Sequence, residues 1–188
     1  MRLSSIAIVT SLLAASSASA AIINFDLLGK AGAGLLGGNE VHELSLPGGS
    51  GGEVGAGIFF DTTTRILTIN IAWGSAAGFT DLTGNATAGH IHGPTDNGGV
   101  LSFNQTKGVR YGLDNLVGWN PSATAGGFSG SLIIAEGDVQ ALFDGRFYIN
   151  VHTGRNSPGE IRGNIVIPTP ASAALLGVGA LALRRRRR

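Results

Sequence analysis

Between Thr64 and Trp73 the stretch TRILTINIAW alternates along its length. Arg65, Leu67, Ile69, Ile71 and Trp73 fall on one side of an extended chain, and Ile66, Thr68, Asn70 and Ala72 fall on the other. Period two with β-branched residues predicts a strand. The same reading applies to IINFDLL (22–28), EVGAGIFFD (53–61), GVLSF (99–103), FSGSLIIA (128–135), RFYINVHT (146–153) and EIRGNIVI (160–167). Asp61 to Thr64 reads as a hairpin turn between two of them. Only EGDVQALFDG has helix-like spacing, with Val139, Leu142 and Phe143 on one side, so one short helical turn is expected near 136–143. Seven or eight short, mainly antiparallel strands with Gly-rich turns predict a single all-β sandwich or barrel.

The two ends break this alternation. MRLSSIAIVTSLLAASSASA runs from Arg2 through an apolar stretch to Ala18-Ser19-Ala20, the build of a secretory signal peptide cut between Ala20 and Ala21. At the other end Pro168-Thr169-Pro170 precedes thirteen mostly apolar residues, 171–183, and five arginines, 184–188. Thirteen falls short of the roughly twenty residues that cross a bilayer as a helix. A basic cluster directly after an apolar run nevertheless fits a tail held at the cytoplasmic side of a membrane. The expectation is a hydrophobic helix at each terminus around one domain: 1–20 signal peptide, 21–167 β domain, 168–188 sorting tail.

Setting the ends aside changes the charge. The whole chain is +1, but residues 21–167 hold seven Lys plus Arg against twelve Asp plus Glu, a net charge of −5. An acidic domain disfavours nucleic-acid binding, which needs a basic face to neutralise phosphates. There is no cysteine, so an exported chain would rely on its apolar core rather than on disulfides. The 31 glycines have no collagen period and cluster between apolar runs, where turns use them.

The candidate chemistry rests on histidine. AGHIHGP (88–94) places His90 and His92 on one face of a strand with Ile91 on the other. On FYINVHT the apolar face is Phe147, Ile149 and Val151, and the polar face is Tyr148, Asn150 and His152. If these strands are neighbours, three imidazoles converge, a donor set suited to Zn or Cu. The alternative is that all three are polar-face residues bonded to loops. Glu160 and Arg162 share a strand face and read either as support for a sugar or a histidine, or as an exposed ion pair. Trp73 reads as core, and Trp119, beside Asn120-Pro121, as an exposed platform in a loop. No nucleophile elbow, Walker loop, zinc-protease helix or dinucleotide fingerprint is present.

LLGGNEV (35–41), FDTTTRILTINIAW (60–73), AGHIHGP, GGVLSF (98–103) and LFDGRFYINVHTGRNSPGEIRGNI (142–165) resemble, in order and spacing, the CHRD or chordin-type domain found also in bacterial exported proteins. The resemblance implies an immunoglobulin-like or barrel-like β fold and marks Tyr148, Asn150, His152, Glu160 and Arg162 as motif residues. The family often continues NEV with prolines where this chain has His42, which sets His42 apart from any family-wide site. The tail resembles a PEP-CTERM sorting signal, with Pro168-Thr169-Pro170 in place of Pro-Glu-Pro. This implies processing by an exosortase-type enzyme, as the leader implies cleavage by signal peptidase, and residence in the cell envelope, at the cell surface or in the extracellular matrix. HIH is also similar to the copper-ligand pair of Cu/Zn superoxide dismutase, but four histidines and no cysteine cannot build that two-metal site. The expected role is therefore a non-catalytic binding or structural domain, with envelope proteins or exopolysaccharide as partners. The alternative is a Zn or Cu protein using His90, His92 and His152, with redox activity as one option.

Overall fold

The structure, a computed structural model, describes residues 21–41 and 48–168. The expected signal peptide, the expected sorting tail from Thr169 onward, the helices expected at both termini and His42 lie outside the described residues. Among the described residues no helix is long and apolar enough to cross a membrane.

The fold is all-β and every strand pairing is antiparallel. In chain order the strands are β1 (Ile22–Gly29), β2 (Gly32–Ala33), β3 (Leu35–Leu36), β4 (Ser50–Asp61), β5 (Ile66–Trp73) and β6 (Ala86–His92). They continue with β7 (Val109–Gly112), β8 (Trp119–Ser122), β9 (Ala125–Ile133), β10 (Tyr148–Thr153) and β11 (Ile161–Val166); helix α1 spans Val139–Phe143. The main path runs β7-β6-β10-β11-β1-β4-β5-β9-β8, with β2 on β1 and β3 between β11 and β4. This sheet folds over itself as a β-sandwich, so that Trp119 of β8 lies over Gly89 of β6. Between the layers pack Phe25, Leu27, Phe60, Leu67, Ile69, Ile71, Trp73, Ile91, Phe128, Ile149, Val151 and Ile165.

The Asp61–Thr64 hairpin turn is present: Asp61 Oδ1 accepts the backbone N–H groups of Thr63 (2.8 Å) and Thr64 (3.3 Å), an Asx turn that reverses the chain between β4 and β5. The short helical turn is also present, as a 3₁₀ turn at Glu136–Asp138 leading into α1.

Two expectations are corrected. GVLSF is a 3₁₀ turn, Gly99–Ser102, rather than a strand. Its Val100 and Leu101 are 71% and 68% exposed, and Ser102 Oγ ties the turn down by donating to Gly99 O (2.6 Å) and Gly145 O (3.1 Å). Trp119 is on a strand rather than an exposed loop; it is half-buried, its ring 5.1 Å from that of Trp73.

Candidate metal centre

Antiparallel pairing of β6 with β10 brings the two diagnostic blocks together. The register sets Tyr148 opposite His92, Asn150 opposite His90 and His152 opposite Ala88. His152 therefore sits diagonally from His90, within reach of a long side chain across a sheet face, and the small Ala88 leaves room for it to lean that way. His90 Nδ1 and His152 Nε2 are 3.0 Å apart, and ring centroids within the trio are 4.8–5.6 Å apart. One ring nitrogen from each of His90, His92 and His152 lies within 4.8 Å of the other two. Three nitrogens at 2.0–2.1 Å from a common ion would stand roughly 3–4 Å apart, so small rotamer adjustments suffice to close the set.

The other ring nitrogens decide which atoms face inward. His92 Nδ1 is 2.9 Å from Lys107 O and His152 Nδ1 is 2.8 Å from Ser157 O. A carbonyl only accepts, so each Nδ1 carries the proton and each Nε2 presents a lone pair. Burial, partly offset by the Lys107 carbonyl, pushes the His92 pKa down to about 4. Burial likewise lowers that of His152 against the opposing effect of Ser157. His92 Nε2 is buried and has no hydrogen-bond partner among the described residues. An unmade bond at a buried polar atom costs about 1–3 kcal/mol, and this one faces two further imidazoles.

The wall behind His92 is equally ordered. The Tyr148 ring stacks on His92 at 5.0 Å and 7°, and the Arg162 guanidinium lies 3.5 Å over the same ring's centroid. Tyr148 Oη donates to Lys107 O (3.2 Å) and accepts from Lys107 N (3.1 Å), fixing the carbonyl that orients His92. Asn150 Nδ2 donates to Glu40 Oε1 at 2.7 Å. Burial raises the Glu40 carboxyl to about 7, with nearby Arg162 pulling the other way. Gly159, at φ +135, passes so close to the Asn150 amide that any Cβ would collide with it, which explains the glycine of the Pro-Gly-Glu block.

Glu160 and Arg162 are not an exposed ion pair. Both are fully buried, and they serve different partners. Arg162 reaches Asn164 Oδ1 (3.2 Å) and Ser102 O (3.2 Å). Glu160 accepts from Gly49 N, Thr83 N, Thr83 Oγ1, Thr153 Oγ1 and Asn156 Nδ2 at 2.6–3.1 Å. Burial works against its charge, but these bonds outweigh it and hold the carboxyl below its ordinary value. Among its clients are Thr153 and Asn156, which shape the turn that delivers Ser157 O to His152.

Sequence reasoning missed Glu40, Ser102, Asp114 and Asn164, as well as the carbonyls of Lys107 and Ser157. Glu40 stands inside the LLGGNEV block and so had a signal; backbone acceptors have none. Ala21 and Pro168, at the expected processing points, are on the two edges of the described chain.

An all-β sandwich carrying a three-histidine cluster on one polar sheet face is the class that these observations define. The CHRD domain family matches residues 32–165, and the chain belongs to that family. No curated protein and no solved structure matches it.

Proposed function

We propose that this chain is an exported, non-catalytic CHRD domain that binds one Zn²⁺ or Cu²⁺ ion through His90, His92 and His152. The observation that carries this reading is the buried, unpartnered Nε2 of His92 beside the nitrogens of two other histidines. A structural role explains the bonds to Lys107 and Ser157, but it leaves that lone pair without purpose. Two of the three rings are held neutral by burial, the state that ligates metal. All three donors are imidazoles, which suit Zn²⁺ and Cu²⁺ better than Ca²⁺ or Mg²⁺.

Export rests on the sequence: the apolar leader ending at Ala20, the Pro168-Thr169-Pro170 break and the arginine cluster. Signal peptidase and an exosortase-type enzyme would process the ends, and envelope proteins or exopolysaccharide would be the neighbours of the delivered domain. The membrane would be met through the tail alone.

Metal content of the purified full chain, measured by mass spectrometry of the element after Zn²⁺ or Cu²⁺ loading, tests the site. About one ion per chain is expected, lost in His92→Ala and in His152→Ala and kept in His42→Ala. Affinity should fall in acid, as protons compete for imidazole. Equal metal content in all four proteins would refute the site.

A further inference from the structure

We infer that Asp114 is the positioning residue of this centre: it holds His90 so that this ring gives Nδ1 to the ion while His92 and His152 give Nε2. The inference rests on the three-histidine reading and deepens it.

His90 differs from its partners. Their outward nitrogens face backbone carbonyls, whereas the Nε2 of His90 faces a carboxylate, Asp114 Oδ1, at 3.6 Å. Its Nδ1 is the atom turned inward, 3.0 Å from His152 Nε2. The carboxylate is not there by chance rotation of an exposed side chain. His90 and Gly112 are partners in the β6–β7 pairing, and just beyond it the N–H groups of Leu113 (2.8 Å) and Asp114 (3.2 Å) both donate to Gly89 O. These two hydrogen bonds to one carbonyl fix the turn against the residue preceding His90. Leu113, fully buried, anchors the same turn in the core. The Asp114 side chain is only 21% exposed, close to the 20% of His90.

In the metal-free structure His90 Nδ1–H donates to the Nε2 lone pair of His152. An ion taken at Nδ1 would move that proton to Nε2, where the Asp114 carboxylate, 3.6 Å away, is the group placed to accept it. An imidazole whose second nitrogen is held by a carboxylate is a recurring arrangement at metal sites, and loss of such a partner lowers metal affinity about 10- to 100-fold. Asp114 acts on the far side of the ring, so the ion's own shell contains three protein nitrogens. Among the described residues no other His, Cys, Asp or Glu joins the cluster. A tetrahedral ion would complete its shell with water or a small ligand.

The experiment is Zn²⁺ titration of the full chain with nitrogen-15 detected histidine NMR, on wild type, Asp114→Ala and Asp114→Asn. In the wild type the Zn-bound form should keep a proton on Nε2 of His90 and on Nδ1 of His92 and His152. Asp114→Ala should weaken Zn²⁺ binding about 10- to 100-fold, with its circular dichroism unchanged. Asp114→Asn, whose amide oxygen accepts the same proton, should recover most of that loss. Metallation of His90 through Nε2 overturns the inference on the wild type alone, whatever the variants do. Unchanged affinity in Asp114→Ala overturns it, as does Asp114→Asn losing as much as Asp114→Ala, which would make Asp114 a direct ligand. A wild type that binds neither Zn²⁺ nor Cu²⁺ overturns the three-histidine reading itself, a result distinct from each of these.

Discussion

Strands β5 and β9 and strands β6 and β10 carry the same alternation, and both pairs turn an apolar face to the same core. Their other faces differ. On β5 and β9 that face is Thr68, Asn70, Ser129 and Ser131, which bond to each other across the pair: Thr68 to Ser131 at 2.8 Å, and Ser129 to Asn70 at 2.7 Å. Small hydroxyls satisfied by their neighbours need no cover, and Ser129 and Ser131 are exposed. On β6 and β10 the second face is His90, His92, Tyr148, Asn150 and His152, joined by Arg162 and Asn164 of β11. Here Tyr148, Asn150, Arg162 and Asn164 are at most 3% exposed. Loop groups supply hydrogen-bond partners to this face, namely Glu40, Ser102, Lys107 and Ser157, while Asn150 Oδ1, Arg162 Nη1 and His92 Nε2 are buried with none among the described residues. Alternation reports which side of a strand is polar. Whether water or protein lies over that side depends on the size and bonding demand of the residues.

The largest contrast is expected at Glu160. Removing it in Glu160→Ala leaves the backbone N–H groups of Gly49 and Thr83 and the hydroxyls of Thr83 and Thr153 without an acceptor, and Asn156 Nδ2 with Thr83 Oγ1 alone. With about 1–3 kcal/mol for each buried group left unsatisfied, and partial relief by water, the cost should be on the order of 4 kcal/mol. The matched change on the plain face, Ser131→Ala, should stay within about 0.5 kcal/mol. Urea unfolding of both variants measures the difference; similar midpoints would erase the distinction between the faces.

Next comes Glu40, where the covered face sets a pH dependence. Its folded pKa, about 7 against an ordinary 4.5, lies above the unfolded value because burial disfavours the charge. Between those values the native state binds the extra proton, so this group's contribution is fully present below pH 4.5 and is lost as pH rises through 7. Lys30 and Arg162 face it and already reduce the shift. Glu40→Gln keeps the acceptor for Asn150 and removes the titration. The variant should match wild type at pH 4 and exceed it at pH 8 by roughly 3 kcal/mol. A constant offset across that range would place the Glu40 carboxylate in water.

Much of this was legible in the sequence, for physical reasons that also mark the limit. Six of the seven runs read as strands by alternation form strands, AGHIHGP adds β6, and Asp61 announced its turn through its own side chain. GVLSF misled because Val100 and Leu101 look like core but project outward from a turn tied by Ser102. Strands β2, β3, β7 and β8 have only two to four residues, too few to show a period. The three histidines were visible as side chains on strand faces. Their orientation was not, because it comes from the carbonyls of Lys107 and Ser157 and from Asp114, whose place depends on Gly89 O.

The seam between the two regions offers a smaller effect. Gly89 of β6 lies under the Trp119 ring of β8, and a methyl group at Gly89 would fall within that ring. Trp119 rests in turn on Trp73, so it has little space to retreat. Gly89→Ala should cost about 1–3 kcal/mol through overpacking. Because Gly89 O also holds the turn of Asp114, the same variant should weaken metal binding. Loss of stability with metal affinity untouched would separate the seam from the site.

The smallest expected change in stability is at His92, and it asks whether the covered face is built for folding or for binding. Phenylalanine at this position keeps the stack on Tyr148, now 5.0 Å between ring centroids, and removes the unpartnered Nε2. The bond to Lys107 O is lost, but that carbonyl still accepts from Tyr148 Oη at 3.2 Å. Replacing a buried polar group by an apolar one of similar shape is often nearly neutral. Metal-free His92→Phe should therefore unfold within about 1 kcal/mol of the metal-free wild type. The two should part only when Zn²⁺ is added: at a hundredfold excess over the dissociation constant, binding stabilises the wild type by about 2.7 kcal/mol, and the variant gains nothing. Thermal unfolding with and without the ion reads both quantities. If metal-free His92→Phe instead lost 3 kcal/mol or so, the imidazole would be a structural polar group like Asn150, and the covered face would owe its composition to folding.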